Sequence, residues 1–214
     1  MSRYLQLCRK VIAIGRNYSE HAVELGNPVP SKPVVFFKPP SSIITEGHSI
    51  KIPEGCQKLH HEVELAVVIG TKGSRIPEES SMDYVDGYML ALDMTARDFQ
   101  DEAKSKGQPW SLAKGFDTSC PVSRFLSKDE IKNANSVDLW LKVNDQLRQE
   151  GNTRDMIFSI PYLISYLSKF FTLEPGDLIL TGTPSGVGPV AKGDIIQAGL
   201  TDIVTMTFKV EETN

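Results

Sequence analysis

Apolar and polar residues alternate, or gather in short apolar blocks, more often than they recur at the three-and-four spacing of a helix. Successive side chains on a strand face opposite ways, so the pattern predicts strands over 10–14, 34–37, 62–69, 87–93, 138–143, 147–150, 178–181 and 203–210. Asn144-Asp145, set between two alternating runs, is a tight hairpin signal. Helical spacing appears in fewer places. Thr95, with Asp98 three residues on, reads as a capping pair ahead of ARDFQDEAKSKG, which Gly107 ends. SIPYLISYLSKFF starts on a serine cap with an early proline and stops before the turn EPGD. A short third helix fits NYSEHAVELG, with Asn17 and Glu20 as its capping pair and Gly26-Asn27-Pro28 as its stop. Strands outnumber helices and are irregularly spaced, which predicts an α+β, predominantly β fold and not a doubly wound α/β sheet.

One strand is chemically unusual. In HHEVELAVVIG, residues 60–70, Val63, Leu65, Val67 and Ile69 share one face. Glu62 and Glu64 share the other, and Ala66 and Val68 continue that face toward an interior. Side chains two apart lie roughly 7 Å apart, and at an effective dielectric near 20 two like charges there repel by roughly 2 kcal/mol. Either water relieves this end of the strand, or something positive sits between the carboxylates.

Composition narrows the classes. The 214 residues contain no repeat, low-complexity tract or Gly/Ser linker, so a single domain over 1–214 is the simplest organisation. A net charge of −4 and no Lys/Arg cluster argue against a nucleic-acid surface. No apolar run approaches the ~20 residues that cross a bilayer, so no membrane span is expected. Cys8, Cys56 and Cys120 are odd in number and widely spaced, which suits a reducing, intracellular compartment. The first residues are basic and lack an acid before Glu20, as in a transit peptide, yet VIAIG reads as a buried strand. Only 1–9 could therefore be a flexible or targeting segment, against an ordered terminus; a mitochondrial or cytoplasmic location is expected.

Asp93 ends the strand YMLALD just before a helix, where an acid can be an ordinary cap. With Glu62 and Glu64 it instead makes a hard, all-oxygen set suited to Mg²⁺ or Mn²⁺. His60 points with the glutamates in strand phase and His61 does not. His21 and Glu24 lie three apart on one helix face, as a surface pair or as a histidine oriented to take a proton. Lys114 in the apolar WSLAKGFD either snorkels or serves a site. LTGTPSGVGP lacks the ending of a P-loop; it is a turn, or its N–H groups and the Thr183 hydroxyl form a nest for an anionic oxygen.

GRNYSEH, FFKPPSS, HHEVELAVVIG, LDMTARDFQ, PWSLAKGFDT and ILTGTPSGVGP, in this order, resemble the fumarylacetoacetate hydrolase superfamily over essentially the whole chain. The resemblance is to its short, single-domain acylpyruvase and oxaloacetate decarboxylase branch. It implies a β-rich, mixed β-sandwich roll with few helices, a homodimer, and Mg²⁺ or Mn²⁺ held by Glu62, Glu64 and Asp93. It implies that His21 and Glu24 sit on a lid that orders over substrate, with Lys114 catalytic and Arg97, Gln100 and Thr183 binding a small 2-oxo acid. The implied reactions are C3–C4 hydrolysis of acylpyruvates and decarboxylation of oxaloacetate, both through a pyruvate enolate. A keto–enol tautomerase of oxaloacetate and a non-catalytic metal-binding module are the rival readings.

Overall fold

A computed structural model describes residues 3–18 and 30–213. Its strands in chain order are β1 (Val11–Gly15), β2 (Val34–Lys38), β3 (Ile43–Ile44), β4 (Ile50–Ile52), β5 (Leu59–His61), β6 (Val63–Ile69), β7 (Val85–Leu92) and β8 (Thr95–Ala96). Then follow β9 (Cys120–Pro121), β10 (Leu126–Ser127), β11 (Asp138–Val143), β12 (Gln146–Asn152), β13 (Leu178–Leu180), β14 (Gly188–Val190), β15 (Ile195–Leu200) and β16 (Val204–Glu212). The helices among the described residues are short: α1 (Arg3–Leu7), α2 (Arg97–Ser105), α3 (Ser111–Lys114) and α4 (Ile160–Ser168). The fold is α+β and predominantly β.

The six-stranded sheet runs β10-β7-β6-β13-β1-β2, with only β1 and β13 parallel. The five-stranded sheet runs β12-β11-β15-β16-β4. Val63, Leu65, Val67 and Ile69 of β6 share one core with Leu139, Leu141, Ile196, Ala198, Met206 and Phe208 of that second sheet. Ala66 and Val68, on the opposite face of β6, join Val11, Ala13, Met89 and Leu180 in a second core. Strand β6 is thus buried on both faces, which is why its polar positions are costly.

The expected strand over 62–69 is longer and is broken. The chain pairs as β5 with β14 and β8 in a three-stranded sheet, leaves regular pairing at Glu62, and resumes as β6 in the six-stranded sheet. Its neighbour makes the same transfer, from β7 through Asp93 to β8, and the Asp93 N–H donates to the Glu62 carbonyl at 2.8 Å. Two acidic residues therefore stand at facing corners where the chain changes sheets.

The hairpin forms as its sequence predicts, with Asn144 and Asp145 at φ 50° and 63° joining β11 to β12. Ser159 caps α4 by accepting from the Tyr162 N–H. The other capping pairs differ from expectation. Thr95 lies in β8, α2 starts at Arg97 without a side-chain cap, and Asp98 accepts from the Gln57 N–H instead. The Asn17 amide donates to the Phe158 and Thr181 carbonyls and accepts from the Phe158 N–H, so it is not a helix cap. The rest of that expected helix, with His21 and Glu24, lies outside the described residues. Leu5 of α1 is buried, and Tyr4 stacks on Phe125 at 4.1 Å. Among the described residues no helix is long and apolar enough to cross a membrane.

Candidate metal centre and its surroundings

The corner geometry gathers Glu62, Glu64 and Asp93. Each offers one oxygen, these oxygens lie within 4.8 Å of one another, and all three residues are buried. Three cations answer them. Lys114, at the end of α3, donates to Glu62 at 2.9 Å, to Asp93 at 2.6 Å and to the Thr95 hydroxyl at 2.7 Å. Arg97, the first residue of α2, pairs with Glu62 and donates to Gln100 Oε1 at 2.6 Å. Lys38, fully buried at the end of β2, donates to the Met94, Lys114 and Ser119 carbonyls and stands 2.8 Å from Asp93 Oδ1. It holds the acid and the Lys114 backbone in one frame, and removing such a buried partner costs about 3–5 kcal/mol.

The compensation is uneven. Among the described residues Glu64 makes no ion pair, and its carboxylate accepts from the Gly182 N–H at 2.7 Å. Burial, then the charges of Asp93 and Glu62, raise its pKa well above the ordinary carboxylate range, against the Gly182 N–H and Lys114. Asp93 Oδ1 is buried and accepts no well-aligned hydrogen bond, although Lys38 lies close. An undercompensated carboxylate and a free buried lone pair in an all-oxygen set fit a hard divalent cation. Burial opposes the charge on Lys114, but Asp93 and Glu62 outweigh it and raise the pKa, so the ammonium keeps its proton at neutral pH. His60 is held at about 4, by burial first and then by Arg97, so it is neutral and its Nδ1 faces the Arg97 Nε at 3.4 Å.

Of the two readings of LTGTPSGVGP, a turn or a nest for an anionic oxygen, the structure shows a turn whose donors are partly taken by the protein itself. Gly182, at φ 100°, aims its N–H at Glu64. The Thr183 hydroxyl donates to the Val63 carbonyl at 2.8 Å and accepts from Gln149 Nε2 at 2.8 Å. Its proton is committed, so toward a ligand the oxygen can only accept. Gln149 is buried on β12 and also accepts from the Val63 N–H at 3.1 Å, tying this loop to β6. Nothing in the local pattern of β12 marked it.

Glu62, Glu64, Arg97, Gln100, Lys114 and Thr183 line one cavity of about 30 Å³. That is room for about one water or ion, because the Lys114 ammonium fills the space between two carboxylates. Arg16, Lys104, Phe36 and Trp110 also line it, and sequence reasoning passed over all four. Phe36 and Trp110, with Lys114, continue into a neighbouring cavity of about 360 Å³. Residues from five elements far apart in sequence meet here, which local periodicity cannot register.

Residues 10–211 match the family described as fumarylacetoacetate (FAA) hydrolase, C-terminal. The chain is 54% identical over 212 residues to the human oxaloacetate tautomerase FAHD1, mitochondrial, covering 99% of this chain and 96% of that protein. It is also 54% identical to the oxaloacetate decarboxylase, mitochondrial, of Dictyostelium discoideum, covering 98% and 97%. Among solved structures, the fumarylpyruvate hydrolase of Pseudomonas aeruginosa in complex with Mn²⁺ and pyruvate superposes with a TM-score of 0.91 at 34% identity, covering 96% of this chain and 91% of that one.

Proposed function

Because the chain belongs to the fumarylacetoacetate hydrolase family and is a FAHD1-like enzyme, we propose that it interconverts the keto and enol forms of oxaloacetate through the shared enolate. The observation that carries this reading is the buried set of three carboxylate oxygens within 4.8 Å, bridged on two sides by Lys114. When Mg²⁺ or Mn²⁺ is bound, Glu62, Glu64 and Asp93 would hold it, and it would supply Lewis acidity toward the carboxylate and C2 oxygens of a 2-oxo acid. Lys114 places a fixed positive charge beside the oxygen on which enolate charge develops, in surroundings of low dielectric where such a charge counts most. Gln100 accepts from Arg97, and Arg97 pairs with Glu62, so the two side chains orient that carboxylate in series. His21, oriented by Glu24, is assigned proton transfer at C3; both lie outside the described residues, and motif position and the helical spacing of the pair support the assignment. Arg16, five residues before His21, lines the cavity.

Cleavage of the C3–C4 bond is the second reading, supported by the relative named oxaloacetate decarboxylase and by the pyruvate complex of the fumarylpyruvate hydrolase. Loss of CO₂ from oxaloacetate leaves the same enolate, and hydrolysis of an acylpyruvate does so after water attacks C4. One sample with saturating Mg²⁺ separates the readings when the enol absorbance of oxaloacetate and the release of pyruvate are followed together. Tautomerisation changes the enol signal without matching pyruvate, whereas matching rates assign cleavage. Glu64→Ala should abolish either activity, and His21→Ala should slow proton transfer by about 10²–10⁴-fold. Full activity in folded Glu62→Ala and Glu64→Ala would sink the site. The protein is read as a homodimer, which sedimentation would show as about twice the 23.7 kDa of one chain. An intracellular, mitochondrial location is supported by three unpaired cysteines and by the relatives' names, and fractionation tests it.

A further inference from the structure

The cations around the cavity are not equally committed. Lys38 and Lys114 answer Asp93 and Glu62, and Arg97 answers Glu62. Arg16 lines the same cavity, yet among the described residues it makes no ion pair and donates no side-chain hydrogen bond. It directly follows β1, at φ 60°, in a left-handed conformation uncommon for a residue with a Cβ. Lys104 lines the cavity too, 5.8 Å from the centre of the Trp110 ring and 3.6 Å from the exposed Asp101 carboxylate. Burial, Arg97 and Arg16 all pull the Lys104 ammonium below its ordinary pKa, so the two positive heads feel each other. Counting Asp93 behind the wall, three carboxylates face Lys38, Lys114 and Arg97, and the exposed Asp101 faces Lys104, leaving Arg16 in excess before any divalent cation binds.

We propose that Arg16, with Lys104 beside it, is the subsite for the distal carboxylate of a four-carbon 2-oxo dicarboxylate. This rests on the function proposed above and names its substrate class: dicarboxylic over monocarboxylic 2-oxo acids. It also bears on which bond breaks. In tautomerisation the C3–H bond breaks, the proton passes to a base, its electron pair forms C2=C3, and the C2 oxygen takes a proton; the C4 carboxylate keeps its charge throughout. In decarboxylation the C3–C4 bond breaks, its electron pair forms the enolate, and C4 leaves as neutral CO₂. A guanidinium on C4 stabilises the charged ground state more than a transition state in which that charge is leaving, so it slows cleavage and spares tautomerisation. Arg16 is in this sense a specificity residue.

Oxaloacetate and pyruvate differ by this one carboxylate, so calorimetry of both ligands with Mg²⁺ reads the subsite without needing turnover. Arg16→Gly suits the left-handed backbone and removes the cation; Lys104→Met changes an exposed side chain and keeps the fold. Oxaloacetate affinity should fall about 10–100-fold in Arg16→Gly and about 3–10-fold in Lys104→Met, as for loss of one charged partner, while pyruvate stays within about threefold. The ratio of decarboxylation to tautomerisation should rise in Arg16→Gly. Equal weakening of both ligands, or no change in either variant, overturns the subsite and leaves the distal group to the neighbouring cavity. Should wild-type protein turn over no oxaloacetate, the proposed reaction fails. The binding comparison then decides the subsite alone: a preference for oxaloacetate over pyruvate that Arg16→Gly abolishes sustains it, and a preference unchanged by the substitution removes it.

Discussion

Glu64 concentrates the electrostatic problem of this site at a single residue. Lys114 and Arg97 serve Glu62, and Lys38 and Lys114 serve Asp93, but Glu64 has a backbone N–H and no ion pair among the described residues. Its raised pKa comes from burial first and from Asp93 and Glu62 next. A carboxyl whose folded pKa exceeds its unfolded value favours folding when protonated. The metal-free protein should therefore be more stable near the unfolded value of about 4.5 than above the folded one, as far as this residue is concerned. Binding Mg²⁺ should expel that proton, and affinity should rise with pH. Calorimetry in buffers of different ionisation enthalpy counts the protons released; a count of zero throughout the pH range above the ordinary carboxylate value would show that Glu64 is already charged. The rise of Tm on acidification in EDTA, from pH 8 toward pH 5, should shrink in Glu64→Gln.

At the scale of elements, short segments matter more than long ones. The turn after β13 carries Gly182, whose N–H is the hydrogen bond on Glu64 and whose φ of 100° disfavours any side chain. A Cβ there would lie 2.6 Å from the Asn17 Cβ, which is pinned by three hydrogen bonds. Gly182→Ala should cost about 1–3 kcal/mol and weaken Mg²⁺ binding, because the turn must move and its N–H with it. Gly193 is the control: it has φ 91°, but a Cβ there meets nothing within 4 Å. Gly193→Ala should carry the backbone strain of roughly 1 kcal/mol and leave Mg²⁺ affinity alone. Urea unfolding and metal titration of the two variants make the comparison; equal effects on affinity would remove the turn from the site.

For the whole molecule, the net charge of −4 would repel a dianion, yet in the cavity Arg16, Arg97, Lys104 and Lys114 outnumber the carboxylates Glu62 and Glu64. A locally positive cleft on an acidic protein draws anions by its near field, which salt screens within about 10 Å at 0.1 M. kcat/KM for oxaloacetate should fall several-fold between about 10 mM and about 300 mM salt, and Arg16→Gly should flatten that dependence. Stopped-flow or initial-rate measurements across ionic strength at fixed free Mg²⁺ test this; a flat wild-type profile would mean that the cleft does not steer its substrate.

Strand β6 was legible because a two-residue period with both faces apolar demands burial on both sides, and the acids breaking that period stood out against it. Hairpin β11–β12 and helix α4 were legible for the same kind of reason: their turn and cap residues act on neighbours within four positions. The short strands β3, β5, β8, β9 and β14 were not, since two or three residues hold no period and exist only through partners distant in the chain. Thr95 shows the limit: its local signal was a cap, but pairing with His60 draws it into β8. Local pattern was enough for the class of fold, for the three acidic residues and for the ordered motifs of the family. That the chain changes sheets at Glu62 and Asp93 together followed from long-range strand pairing alone. The same holds for the bracing of the site by Lys38 and Gln149, and for Arg16, which lines the cavity without a partner among the described residues. Each depends on distance between residues far apart along the chain, and local side-chain pattern carries no information about that distance.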